Sequence, residues 1–591
     1  TDSSFVRETQ VEGHNLTTVQ NNRGTPISTV EPGKMSIPAA PPGLANRAQK
    51  PAKIDQTALV FETLLIFLCF ALYAGQLPPD VNESHYLTKA KHFWNPDWCP
   101  GDIFLGSSFA HWLFYASTGW LTQFMSLAAV AWIGRIATWG AMAYAWRRLS
   151  WNVLPYRWVA VFSAILFLVL NDRFHLAGEW VIGGFEAKGI AYAFVLMGLG
   201  SLAKADWRSA WVWLGAASAF HVLAGGWAFL ATMFAFLYFV LDPSNRGLGR
   251  INLVRAQLLP FAVGIGLALI GAIPPLLAES STPADIAAEA RSIYVNHRIS
   301  HHLNFDAFPS LNVARFLGMV LVWCGLSHWL AKQSNVSARR LKPVFYFCLG
   351  SLGISFGGLW LSGLAGQGGP LAQTSEGLLR FYWFRLADFA VPMAGALMGS
   401  SIVCHLLMQQ RRFSARIGCA VFVACIVMAG GLTIFEKHQD PRPRADRRSL
   451  PSYEENVTRT QDTFRNWQKV CRWVAANTPE DSSFITPHEQ QTFKWYAGRA
   501  EVVCWKDVPQ DAGGILEWKT RLNELYEPQR RYEAGLFSYS DDQLRSLANK
   551  YKADYLVIPQ RHVDLAGSPT SLKQVYPEND GVKSTYVVFE F

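Results

Sequence analysis

Residues 58–75 read Ala58-Leu-Val-Phe-Glu62-Thr-Leu-Leu-Ile-Phe-Leu-Cys69-Phe-Ala-Leu-Tyr73-Ala-Gly75, an apolar run carrying a single carboxylate. Crossing the hydrocarbon core of a bilayer takes about 20 apolar residues in a helix, so this run reads as a membrane span. No basic stretch, short apolar core and small-residue cleavage site come before it. It is therefore expected to be a permanent anchor, not a secretory signal.

Ten more apolar runs follow, and spans are expected near 124–146, 157–171, 188–203, 209–222, 226–241, 257–277, 312–331, 343–364, 386–408 and 416–435. The two runs flanking His221 are short for a bilayer, so they are expected to form a re-entrant hairpin bent at Gly225-Gly226. Half of the 591 residues are hydrophobic and only 16% are charged, against about 25% in an ordinary soluble chain. The net charge of +9 falls in short clusters: Arg147-Arg148, Lys204 with Arg208, Arg246 with Arg250 and Arg255, Arg339-Arg340 with Lys342, and Arg411-Arg412 with Arg416. These alternate with the spans, which is the pattern that orients a membrane protein rather than one that binds nucleic acid. With eleven spans, the rule predicts a cytosolic N-terminus and an extracytoplasmic tail.

Three regions are expected: a disordered cytosolic lead over 1–57, rich in Thr, Asn, Gln, Pro and Gly; a helical membrane domain over 58–435 with a large external loop over 76–123; and a soluble domain over 436–591. In the tail the helical spacing of Trp467, Val470, Trp473 and Val474 predicts a helix over 466–477. Strands are predicted at 483–486, 501–505, 554–559 and 585–591, with helices at 489–496, 515–526 and 541–551, an α/β layer order. Cys471 and Cys504 could pair if the tail lies in an oxidising compartment.

Ionisable groups near a bilayer are costly unless paired or solvated, so they point to function. In this topology they gather on the outer side. The first external loop carries Asp80, Glu83, His85, Tyr86, Asp97 and Asp102, with His111 just beyond. Glu83, Tyr86 or Leu87, and Ala90 share one face of a short helix. A carboxylate there suits general-base work, or a divalent cation (Mg or Mn) held by Glu83 and Asp102 that would neutralise a leaving phosphate. The other groups are Glu179, Glu186 and Lys188; His221; the run His297-Arg298-Ile-Ser-His301-His302; and Arg380-Phe-Tyr382-Trp-Phe-Arg385. Arginine recognises phosphate through a planar fork, which fits a lipid-linked phosphate. The three histidines lack the Cys or carboxylate partners of a familiar zinc spacing. Each cluster also has a plainer reading: solvated interfacial charges, a Glu186–Lys188 pair, a capping His221, or an aromatic belt with snorkelling arginines.

The loop Asn82-Glu83-Ser-His85-Tyr86 through Ala90-Lys91 to Asp97-Trp98 resembles the type C glycosyltransferase superfamily (GT-C). In its aminoarabinose- and mannosyl-transferase branch, an Asp-Glu pair after the first span is followed by a Tyr, an Ala-Arg pair and a Gly-Asp-Trp. This chain departs from that pattern with Asn82 at the first acidic position and Lys91 at the Arg, while Asp80 lies two residues upstream. The stretch from Asn82 to Trp227 and the tail around Glu517-Trp518 are similar to large bacterial membrane proteins of the superfamily. The resemblance implies a GT-C-like, polytopic helical fold with a C-terminal extracytoplasmic α/β domain in a bacterial inner membrane. It implies an enzyme of the cell envelope that moves a sugar from a polyprenyl-phosphate donor to an acceptor, among membrane lipids. Glu83 would be the base, with Asp102 and Asp80 as alternates. Arg298, His301, His302, Arg380, Arg385 and Lys188 would hold the donor phosphate. His85, Tyr86, Asp97, His111, Glu179, Glu186 and His221 would line the cavity. The alternatives are a non-catalytic scaffold or sensor with the same fold, or a lipid or sugar transporter.

Overall fold

The computed structural model describes residues 56–591 apart from 244, 246–248, 281, 333–335, 368, 410–412, 452–455, 527–534, 567–569 and 579–583. The expected disordered lead, apart from its last two residues, lies outside the described residues, as do Arg246, Arg411 and Arg412. Each of the eleven apolar runs coincides with a helix: Gln56–Ala74, Leu127–Val153, Val159–Arg173, Ala187–Leu202, Trp207–Phe220, Val222–Leu241, Leu258–Ser280, Ser310–Ala331, Val336–Ala365, Arg385–Gln409 and Phe413–His438. Among the described residues, seven helices are long and apolar enough to cross a membrane. Those not among the seven are Leu127–Val153, which carries three arginines, and the short helices from 159 to 220. The protein is a polytopic helical membrane protein with a small C-terminal α/β unit.

The arginines of Leu127–Val153 explain how that helix tolerates its position. Arg147 is buried and its Nε meets Glu62 Oε2 at 2.9 Å, so the one carboxylate of the first span is paired. Arg147 was expected among the cytosolic surface cations and is instead a buried ion-pair member. The bend between Trp207–Phe220 and Val222–Leu241 also differs from expectation. It falls at His221, whose backbone is extended at φ −144° and ψ 98°. Gly225 serves close packing: a Cβ there would sit 2.0 Å from the Ser218 nitrogen, so the two helices touch only because it has none.

In the tail, five strands pair in the order β2 (Ala500–Glu501), β1 (Ser483–Ile485), β3 (Tyr555–Pro559), β5 (Tyr586–Glu590), β4 (Lys573–Tyr576). β2, β1 and β3 pair in parallel, and β5 runs antiparallel to both of its neighbours, β3 and β4. β4, at the sheet edge, was not expected; its Lys573-Gln-Val-Tyr576 lacks the apolar run of a central strand. Trp467 and Trp518 are fully buried on helices Val457–Asn477 and Ala512–Leu525, and their indole N–H groups reach Thr492 Oγ1 and the Cys504 carbonyl, both at 2.9 Å. Burying an aromatic of that size with its polar end satisfied contributes about 1.5–3 kcal/mol. Cys471 and Cys504 are both free thiols, so the disulfide considered above does not form.

Ile54–Phe591 forms one compact unit. The α/β unit is seated on the first loop by direct bonds: Ala445 N donates to the Pro79 carbonyl at 3.2 Å, Ser108 N to Asp511 at 3.1 Å, and Ala110 N to Gln510 at 2.8 Å.

Candidate functional site

A cavity of about 970 Å³ lies between the helical part and the α/β unit. That is the upper end of the range for small-molecule sites. Arg298, His301, His302, Arg380, Arg385, Lys188, His85, Tyr86, His111, Glu179, Glu186 and His221 all line it. The clusters that are scattered along the sequence therefore share one space. Asp80, Glu83, Asp97 and Asp102 do not line it.

Glu83 opens helix Glu83–Trp94 and is completely buried. Its carboxylate accepts from Arg135 Nε at 2.6 Å and Nη2 at 2.5 Å, and from the backbone N–H of Asp80 at 2.7 Å and Phe185 at 2.6 Å. Four acceptor bonds saturate it, leaving no lone pair for an acceptor proton. Glu83, expected above as the base, here anchors Arg135 and two backbone N–H groups. Asp80 caps Val81 N at 2.7 Å and meets Arg444 at 3.2 Å. Asp102 accepts from Phe104 N and Leu105 N at 3.0 Å and meets Lys494 at 3.1 Å. Glu83 and Asp102, considered above as a metal pair, each meet a different cation of the protein itself. Asp97 is exposed.

Glu179 and Glu186 line the cavity from the loop between the helices ending at Arg173 and starting at Ala187, while Asp172, Glu279, Glu489 and Asp511 line it from other elements. Asp388 shapes that loop by accepting from the backbone N–H of Leu176, Ala177 and Glu179, at 2.5, 2.9 and 3.1 Å. Gly184 lets the loop press on the first one, since a Cβ there would lie 2.6 Å from that of Asp80. Glu186 is 3% exposed; its Oε2 accepts from Asn82 Nδ2 at 2.9 Å and its Oε1 from Trp180 Nε1 at 3.1 Å. Burial pushes its carboxyl above the usual range, although Lys188 and Asn82 pull the other way. Glu179 Oε2 meets Arg385 Nε at 3.1 Å and Lys188 at 3.7 Å. The Arg385 guanidinium lies 3.9 Å over the Tyr382 ring, and Tyr382 has φ +55°, a strained value for a bulky residue. Its hydroxyl is 3.2 Å from that of Tyr294.

The cations divide by whether they already hold an anion. Arg380 binds Glu279 at 2.6 and 3.0 Å, Arg385 binds Glu179, and Lys188 lies between Glu179 and Glu186. His302 Nδ1 points at the Ala177 carbonyl, and burial holds its imidazole down at about 3, so it is neutral at pH 7. Arg298, Arg448 and Lys506 form no ion pair among the described residues. Arg298 ends the π-helical turn Ile293–Arg298 and donates to the carbonyls of Trp505 (3.1 Å) and Lys506 (3.3 Å). Lys506 donates to Asn82 Oδ1 at 2.8 Å, and burial with Arg298 nearby lowers its ammonium to about 8. His301 is lowered by burial and by Arg298, Arg448 and Lys506.

Below the cavity, Lys494 Nζ meets Glu501 at 2.5 Å, Asp507 at 2.8 Å and Asp102 at 3.1 Å, all buried. His85 bridges this group to the cavity through Asp507, at 3.0 Å. Glu501, Cys504 and Asp507 have ligand atoms within 4.8 Å of one another, as a metal would need. The Lys494 ammonium already contacts both carboxylates and offsets one of their charges. Burial raises Glu501 to about 7 from an ordinary 4.5. The folded state then holds its proton where the unfolded chain has lost it, so Glu501 costs stability progressively as pH rises from about 5 to about 7. Glu501→Gln removes this cost. The melting temperature of wild type relative to that variant is expected to fall over this interval; a constant difference would show that Glu501 ionises normally.

Arg135, Arg448, Trp505, Lys506 and Lys494 were not singled out from sequence. Arg135 was detectable as a charge inside the apolar run Ala128-Ala-Val-Ala-Trp-Ile-Gly-Arg135. Lys506 had no such signal, because its loop is an ordinary polar one until it is docked.

A family described as a domain of unknown function (DUF6798) matches residues 465–525. No curated protein sequence matches the chain. Among solved structures, the archaeal oligosaccharyltransferase AglB from Archaeoglobus fulgidus, in complex with an inhibitory peptide and a dolichol-phosphate, is similar at 13% identity and a TM-score of 0.42, over 85% of this chain and 69% of that one. ArnT from Cupriavidus metallidurans bound to undecaprenyl phosphate is similar at 14% identity and a TM-score of 0.41, over 90% and 97%.

Proposed function

We propose that this chain is a membrane glycosyltransferase that uses a lipid-phosphate-linked sugar, with its donor phosphate held at Arg298, Arg448 and Lys506 and with Glu186 as base. The observation that carries the reading is the unequal pairing of the cavity cations. Arg298 and Lys506 are half-buried and Arg448 is exposed at the rim; charge partly removed from bulk water without an anionic partner gains from a bound counter-anion. Arg380, Arg385 and Lys188 already have carboxylates, so an incoming phosphate gains most at the three that do not. Both guanidinium groups suit a phosphate geometrically.

In the reaction, an acceptor hydroxyl or amine attacks the anomeric carbon of the donor sugar. The bond from that carbon to the phosphate oxygen breaks, and its electron pair stays on the phosphate. The acceptor proton passes to Glu186, whose raised carboxyl pKa lies closer to neutrality than that of a solvated glutamate. Fixed cations at the leaving phosphate stabilise charge that grows in the transition state.

The test is reconstitution of the full chain into liposomes with a polyprenyl-phosphate-linked sugar and a membrane extract as acceptor source. Release of polyprenyl phosphate that depends on the protein is expected. Arg448→Ala, which removes a guanidinium with no structural partner among the described residues, should weaken binding of the polyprenyl phosphate about tenfold or more. Unchanged lipid-phosphate binding in that variant would remove the phosphate assignment, and absence of release with every donor tried would remove the reading.

A further inference from the structure

Asn82 stands where the resemblance led us to expect a carboxylate, and its surroundings use the amide at both ends. Nδ2 donates to Glu186 Oε2 at 2.9 Å, while Oδ1 accepts from Lys506 Nζ at 2.8 Å. The reversed amide would set NH₂ against the ammonium and a carbonyl against the carboxylate, so the network fixes the orientation. A second observation is that Asn82 occupies the position before helix Glu83–Trp94 yet makes no side-chain cap bond. Asn at that position ordinarily turns back to the helix N–H groups, a bond whose loss costs about 1 kcal/mol. Here the side chain is directed to Glu186 and Lys506 instead. Trp180 Nε1 holds the other oxygen of Glu186, so the carboxylate is fixed at both atoms.

From this geometry we infer that Asn82 is a positioning residue that locks Glu186 and ties it to Lys506, so that the carboxylate is set for proton transfer only while the α/β unit is seated. This inference rests on the role given to Glu186 above. An aspartate at 82 could not donate to Glu186 and would bring a like charge to it, which explains why an amide suits this chain at that position. The link spans three separate segments: the first loop, the loop before Ala187–Leu202, and the loop after β2. The groups that set the charge of Glu186 are Lys188 on its own helix (3.8 Å), Glu179 from the preceding loop, Asp80 and Tyr86 from the first loop, and Lys506 from the α/β unit.

The test follows the Glu186 carboxyl itself, by infrared difference spectra of the full chain in liposomes across pH, with Glu186→Gln assigning the band. Asn82→Asp adds a like charge, and Lys506→Met removes the ammonium. Each is expected to raise the Glu186 midpoint by about one unit or more. Asn82→Leu, which removes the hydrogen bond without adding charge, should also raise it and carries the test if the aspartate variant fails to fold. Midpoints unchanged in the Asn82 variants would overturn the clamp. A shift in those with none in Lys506→Met would overturn the tie to the α/β unit. Because the readout needs no turnover, shifted midpoints in a chain that transfers no sugar would sink the proposed function and leave the clamp, while sugar transfer with unmoved midpoints would do the reverse.

Discussion

Glu83→Gln is expected to destabilise the fold by about 3–5 kcal/mol, the cost of leaving one member of a buried ion pair without its partner. Glu83 and Arg135 are 0% and 1% exposed, and two of the guanidinium nitrogens meet the carboxylate. The third donates to the Gln76 carbonyl at 2.5 Å, so Arg135 also fixes the end of the first span. The neutral amide leaves the guanidinium charge uncompensated. It also turns an NH₂ toward a donor, because all four partners of Glu83 are donors. The measurement is the melting temperature of the purified chain in detergent, beside its recovery as a monodisperse species. Adding Arg135→Met should restore part of the loss, since removing both members of a buried pair is often close to neutral. A Glu83→Gln protein with unchanged melting behaviour and no turnover would return Glu83 to a chemical role.

The contrast between Glu83 and Glu186 shows which parts of the molecule were legible in the sequence. The apolar runs were legible because the bilayer imposes length and apolarity on its spans; each expected run is a helix, and among the described residues seven are long and apolar enough to cross. The cavity clusters were legible as sets: polar residues at the ends of spans are expensive, so the loops that carry them were candidates, and most of those side chains meet. Their division of labour was not. Helical spacing gave the face of Glu83 but not what covers it, and the covering group, Arg135, lies on another helix. Asp102 was hidden in the same way by Lys494, more than 390 residues further along the chain. Asn82 resembled a lost acid until its partners appeared; an amide that must give one hydrogen bond and take another leaves no trace in a single sequence. Edge strand β4 was missed because half of its side chains face water.

Glu186→Gln is expected to lower sugar transfer by about 10²–10⁴-fold, the usual contribution of a positioned general base. The fold should tolerate the change far better than Glu83→Gln. Among the described residues Lys188, at 3.8 Å, is the ion-pair partner of Glu186, and that ammonium keeps Glu179 at 3.7 Å and the Trp180 ring at 3.9 Å. The amide oxygen can still accept from Asn82, but its NH₂ then faces the Trp180 N–H, so the cost is about one hydrogen bond, or 0.5–1.5 kcal/mol. Binding of polyprenyl phosphate should persist, because Arg298, Arg448 and Lys506 are untouched. A base acts only on the chemical step, so the loss should appear in kcat with KM for the donor little changed. Glu179→Gln makes the informative comparison, because Glu179 neutralises Arg385 and should alter donor binding more than proton transfer. A loss below tenfold at Glu186, or a larger kcat loss at Glu179, would transfer the role of base to Glu179 within the same cavity.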